Sequence, residues 1–154
     1  MPVKIYMLLL LFLVTLTASA YEYNGPETEL ILLINEEREA SDAPPLILDW
    51  ELTRLARLRT EEMRTHKLFD HESLVFGSPS ALLDHFRISY SLAGANIAMG
   101  QETPHEVLEA WKKSDLHYSN LVNQSFTNVG LGISWDDEGI SYWTLLFINA
   151  QESP

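Results

Sequence analysis

Cysteine is absent from this chain. No disulfide framework is available, and thiol nucleophiles and cysteine-ligated zinc are excluded with it. Basic residues are scarce as well: 10 Lys and Arg stand against 22 Asp and Glu, a formal charge of −12. A surface of that sign repels a phosphate backbone, so nucleic acid is not expected as a partner, and anionic membrane surfaces are disfavoured. Internal repeats and low-complexity segments are missing too. Long apolar runs are limited to one, Ile5 to Leu16, which is too short to cross a bilayer comfortably.

That run has Lys4 ahead of it and Ala18-Ser19-Ala20 behind it, the pattern of a secretory leader with an A-x-A cleavage site. Residues 1–20 are therefore expected to be a signal peptide, with the mature chain beginning at Tyr21. Secretion, to the extracellular space or the cell envelope, is the implied location. Residues 21–154 have the length of one domain, which buries roughly two-thirds of its surface and needs no covalent staple. With no cysteine to draw on, its stability must come from packing.

The remaining chain divides into helical and strand-like halves. Glu27 to Glu39 reads as a helix with Leu30, Leu33 and Ile34 on one face, and composition alone places Asn35 and Arg38 at its surface. Ser41 to Pro45 ends it as a stiff connector. Leu48 to His66 reads as the longest helix, with Leu52, Leu55, Ala56 and Met63 inward and its arginines and glutamates outward. Ser78-Pro79 is a cap followed by a proline at the first helical position. Tyr90 to Gly100, YSLAGANIAMG, reads as a tight turn or a short strand, and Thr103-Pro104-His105-Glu106 as a capping box. Beyond Phe126 the period changes to two. Val129, Leu131, Ile133 and Trp135 alternate with Gly130, Gly132 and Ser134, and the two glycines would let another element approach the backbone closely. Asp136 to Gly139 is a hairpin turn, and the apolar run from Ile140 to Ile148 is a strand covered on both faces. Together these elements predict an α+β fold with helices on both faces of the sheet.

Two histidines stand in loops dense with Asp, Ser and Asn: His71 in FDHES and His117 in WKKSDLHYSN. His66, His85 and His105 have ordinary helix-end or packing explanations. The segments around the pair fall into a longer pattern. Leu33-Ile34-Asn35-x-x-Arg38, Phe69-x-His71-x-Ser73, Gly94-Ala95-Asn96-Ile97-Ala98-x-Gly100, Trp111-x-x-Ser114-x-x-His117 and Thr127-x-Val129-Gly130-x-Gly132 occur in this order. The whole resembles the CAP superfamily (cysteine-rich secretory, antigen 5 and pathogenesis-related proteins), and most closely its bacterial extracellular SCP-like branch.

The resemblance implies an α-β-α sandwich around a central antiparallel sheet, with one cleft containing His71, His117, Asn96, Ser114 and position 95. In metal-binding members, two histidines are joined by acidic residues, one of them the glutamate of G-E-N. Here Ala95 stands in that place, and Ser114 replaces the second acid, as is usual in bacterial members. Zinc or another divalent cation would then be held weakly by His71 and His117, unless Asp70, Glu72 or Glu102 moves in. The family associations point to a non-catalytic secreted module that binds a lipid, an envelope component or a protein. The alternatives are a metal-dependent hydrolase or peptidase using the two histidines, and a purely structural envelope protein. Asn123-Gln124-Ser125 is a glycosylation sequon if the chain passes through a eukaryotic secretory pathway.

Overall fold

The structure is a computed structural model that describes residues 25–151, so the expected leader and its cleavage site lie outside the described residues. α1 (Pro26–Ala40) opens with proline, where a missing N–H costs nothing, and buries Leu30, Ile31 and Ile34. Past the connector, β1 (Ile47–Leu48) precedes α2 (Trp50–His66). Periodicity assigns Leu48 to that helix, but the Asp49 carboxylate accepts from the N–H groups of Glu51 and Leu52 and fixes the helix start after it. Leu48 is left extended. α3 (Pro79–His85) is capped by Ser78, whose hydroxyl accepts from the Ala81 N–H. β2 (Tyr90–Met99) follows, then α4 (Pro104–Lys112) with both bonds of the Thr103–Glu106 capping box in place. α5 (Asp115–Leu121), β3 (Asn128–Trp135) and β4 (Ser141–Ala150) complete the order.

The four strands lie in the order β1-β3-β4-β2. β4 pairs antiparallel with both β3 and β2, while β1 adds to β3 in parallel, so the sheet is mixed at that margin. The segment expected as a turn or short strand is instead a ten-residue strand, because Leu92 to Met99 pair with β4 residue by residue. Its small residues serve packing: a Cβ on Gly94 would come within 2.8 Å of the Phe126 ring.

Helices cover both faces of the sheet. On one, Leu30, Ile34, Val107, Trp111 and Leu121 pack with Val129, Leu131, Trp143, Leu145 and Phe147. On the other, Leu52, Leu55 and Ala56 of α2 and Leu82 and Leu83 of α3 pack with Leu146 and Ile148. α2 lies on β3 backbone to backbone. A Cβ on Gly130 would sit 2.1 Å from the Leu52 carbonyl carbon, and one on Gly132 2.5 Å from that of Ala56. The two glycines are therefore the seat of α2.

Arg38 overturns the surface assignment that composition gives it. Its side chain is wholly buried and carries no ion pair among the described residues. Nε donates to the Pro44 carbonyl, Nη1 to those of Leu121 and Asn123, and Nη2 to that of Phe126, at 2.7–3.1 Å. Four main-chain carbonyls solvate the charge that water no longer reaches. Asn35 is also structural, bonding both ways with the Leu46 main chain and so aligning β1. The sequon asparagine, Asn123, is one of the Arg38 acceptors through its carbonyl, and its side chain accepts from the Ser125 N–H.

Trp111 is 1% exposed, and its indole N–H donates to the Ile97 carbonyl at 2.9 Å, tying α4 to β2. Trp111→Ala is expected to cost about 3–5 kcal/mol, the range for a buried large aromatic. Urea denaturation of the variant is the check, and an unchanged midpoint would contradict this packing.

Candidate functional site

His71 reaches its position through α2. That helix ends at Lys67, which takes a left-handed conformation (φ 49°) and turns the chain back along the helix. Two side chains on α2 then anchor the returning segment. Arg59 and Glu62, one turn apart, form an ion pair with side chains only 5% and 10% exposed. Arg59 Nη2 donates to the carbonyls of Asp70 and Glu72, which flank His71. Glu62 accepts from the Ser73 hydroxyl and the Leu74 N–H. Burial alone would raise the Glu62 carboxyl, but the Ser73 bond, the Arg59 charge and the Leu74 N–H hold it below the usual range. Periodicity put both residues on the solvated face of α2; their partners are main-chain groups of a segment that periodicity does not see.

His117 is set from the opposite helical layer. Ser114 caps α5, its hydroxyl accepting from the His117 N–H. The His117 carbonyl accepts from Asn96 Nδ2 at 3.0 Å, and Asn120 Nδ2 donates to Asn96 Oδ1 at 2.9 Å. Asn96 is fully buried. Asn96 and Asn120 thus tie α5 to β2, Asn120 Nδ2 also donating to the Ala95 carbonyl, while Ser114 caps the helix from within. Ala95 is half-buried, and its methyl packs with the cluster of Leu55, Leu82 and Leu146 on the α2–α3 side.

The imidazoles of His71 and His117, 46 positions apart, meet with ring centroids 5.7 Å apart and planes inclined by 33°. Burial lowers the pKa of both; the Arg59 charge adds to this at His71 and is opposed there by Asp70, and His71 itself adds to it at His117. His117 Nε2 is buried without a hydrogen-bond partner among the described residues. Among the described residues no group of three or more His, Asp or Glu is placed to hold a metal ion, so Asp70, Glu72 and Glu102 do not complete a site around the pair. Two imidazoles do not fit a zinc centre, which takes three or four protein ligands.

The lowered pKa values set a pH dependence. Unfolded, each histidine titrates near 6.5; folded, each holds its proton less tightly. As pH falls below about 6.5 the unfolded chain takes up protons first, so stability present above that pH is lost toward the folded pKa values. A His71→Gln/His117→Gln variant is expected to lose less stability than the parent between pH 7.5 and 5.5, read by urea midpoints at each pH. Parallel losses would show that the pair does not titrate this way.

The sequence pattern of the "Cysteine-rich secretory protein family", CAP, matches residues 31–147. This chain is a member of the CAP family. Its domain is 39% identical over 134 residues to "Uncharacterized protein YkwD" of Bacillus subtilis, covering 87% of this chain and 51% of that one. Among solved structures, an extracellular protein containing an SCP domain from Bacillus anthracis shares 29% identity at a TM-score of 0.74, over 81% of this chain and 40% of that one. An outer surface protein of Borrelia burgdorferi, at 21% identity and a TM-score of 0.76, shares the fold over 82% of this chain and 93% of its own. The CAP domain thus spans about half the length of YkwD. No helix among the described residues is long and apolar enough to cross a membrane.

Proposed function

We propose that this CAP domain is an extracellular binding module whose histidine cleft takes a lipid, an envelope component or a protein segment without metal-dependent catalysis. The observation that carries the reading is the pair itself. Its imidazoles face one another with no third ligand beside them among the described residues, and His117 Nε2 is unpartnered. Exposed apolar side chains lie in the same two segments: Phe69, Leu74 and Val75 near His71, and Leu116 beside His117. Imidazoles with exposed apolar side chains in the same segments suit recognition of a partly apolar ligand. Hydrolysis by a metal-activated water would need a further ligand and a base.

Titration calorimetry with zinc is the test. The parent domain is expected to show no saturable binding at micromolar metal. Ala95→Glu, which returns a carboxylate to the position where metal-binding relatives have one, is expected to raise affinity at least tenfold at pH 7.5. That gain should fade at pH 5.5, because imidazoles ligate only when neutral. Saturable binding by the parent that is lost in both His71→Ala and His117→Ala would replace this reading with the metal-dependent one.

A further inference from the structure

The outer side of α1 carries a feature unconnected with the histidines. Leu32, Glu36 and Glu39 recur at i, i+4 and i+7, and so form one stripe along the helix. Leu32 is 60% exposed, whereas Leu30 and Ile34 on the same helix are fully buried. Asp42, Pro44 and Pro45 face this stripe across an open concavity of about 640 Å³. That volume is in the range that accepts a ligand rather than a single ordered water.

The walls are built and rigid. Arg38 holds the Pro44 carbonyl from below at 2.7 Å, and Asn35 holds both main-chain groups of Leu46. Two consecutive prolines fix the backbone between them. Asp42 takes a left-handed conformation (φ 57°) at the corner.

Charge identifies the occupant. Glu36, Glu39 and Asp42 are exposed and have no ion-pair partner among the described residues, unlike Glu37 of the same helix, which is paired with Lys112. The C-terminal end of α1 adds its partial negative charge to theirs. Arg38 offsets part of this, but its charge is already shared among four carbonyls. No metal-ligand cluster exists among the described residues, so a bare divalent ion does not fit. Lysine and arginine do fit, since each brings an apolar stem to lie on Leu32 and the prolines and a cationic head for the acidic rim.

We propose that this groove docks a cationic peptide segment of a partner protein, with basic heads on Glu36, Glu39 and Asp42 and apolar residues on Leu32, Pro44 and Pro45. The probe is an acetylated peptide amide of alternating leucine and lysine, titrated into isotope-labelled protein and followed by amide chemical shifts. Shifts are expected to concentrate in residues 32–45. The Glu36→Gln/Glu39→Gln/Asp42→Asn variant removes only exposed charge and should melt like the parent. It is expected to bind the peptide about tenfold more weakly, from three exposed pairs lost together. A Glu29→Gln/Glu102→Gln/Asp137→Asn variant makes the same change in net charge elsewhere and should lose less than twofold. Equal losses in the two variants, or shifts concentrated at the histidine segments, would overturn the assignment.

Discussion

Arg38→Ala is expected to destabilise the domain by about 4–6 kcal/mol, a large share of the roughly 5–15 kcal/mol that holds a typical single domain together. Two costs combine. Removing a large, fully buried side chain leaves a cavity. It also leaves the carbonyls of Pro44, Leu121 and Phe126 without the donors that meet them (Asn123 keeps the Phe126 N–H), and a buried unsatisfied acceptor costs about 1–3 kcal/mol. Arg38→Lys should recover less than half of the loss. One ammonium cannot present donors in the fan that a guanidinium offers to acceptors on the 41–45 turn and the 121–126 segment together. Urea denaturation of both variants is the measurement. A lysine variant as stable as the parent would mean that the charge, and not the four-way geometry, is what matters.

Gly130→Ala is expected to cost at least about 3 kcal/mol, at the upper end of ordinary overpacking. The added methyl would have 2.1 Å to Leu52 C, 2.3 Å to Thr53 N and 2.4 Å to Leu52 O, all main-chain atoms of a helix. A flexible side chain can swing aside; the backbone of α2 has to move as a body. That body is held by Leu52, Leu55, Ala56 and Met63, each essentially inaccessible to solvent. Gly132→Ala meets its neighbours at 2.5–2.6 Å and should cost less than Gly130→Ala. Reversal of that order in urea midpoints would contradict the seating described here.

The glycine pair illustrates what sequence shows well. Gly130 and Gly132 lie roughly 7 Å apart on one face of a strand, close to the 6 Å rise between Leu52 and Ala56 on a helix. Their need for a close neighbour is readable from the pattern alone. The Thr103–Glu106 box and the Ser78-Pro79 start were legible for a similar reason, since donor and acceptor lie within three residues. Arg38 was not legible, because three of its four acceptors are main-chain carbonyls 83–88 positions away. Arg59 and Glu62 fit an exposed i,i+3 pair and gain their burial only when the segment carrying His71 folds over them. β1 is two residues long and exists as a strand only because β3 lies beside it. At the candidate site, His71 and His117 were marked by their surroundings and by family resemblance. Ser114 is legible as a helix cap for the same local reason, but the work of Asn96 depends on how α5 sits against β2, which no local spacing reveals.

The position of β4 has a consequence for the order of assembly. Among the described residues it is the last strand, yet it lies between β3 and β2 and is the sheet partner they share. While the chain is still being synthesised, β2 lacks the strand it pairs with among the described residues until Ser141 to Ala150 has appeared. Nor can the Arg38 clamp close until Phe126 is free. Contacts of this long range form late, since the cost of closing the intervening chain must be met before they stabilise anything. Until Ser141 to Ala150 is available, a nascent chain of this design keeps an unpaired β2 and the apolar faces meant for β4 open to solvent, the state most in need of protection from aggregation.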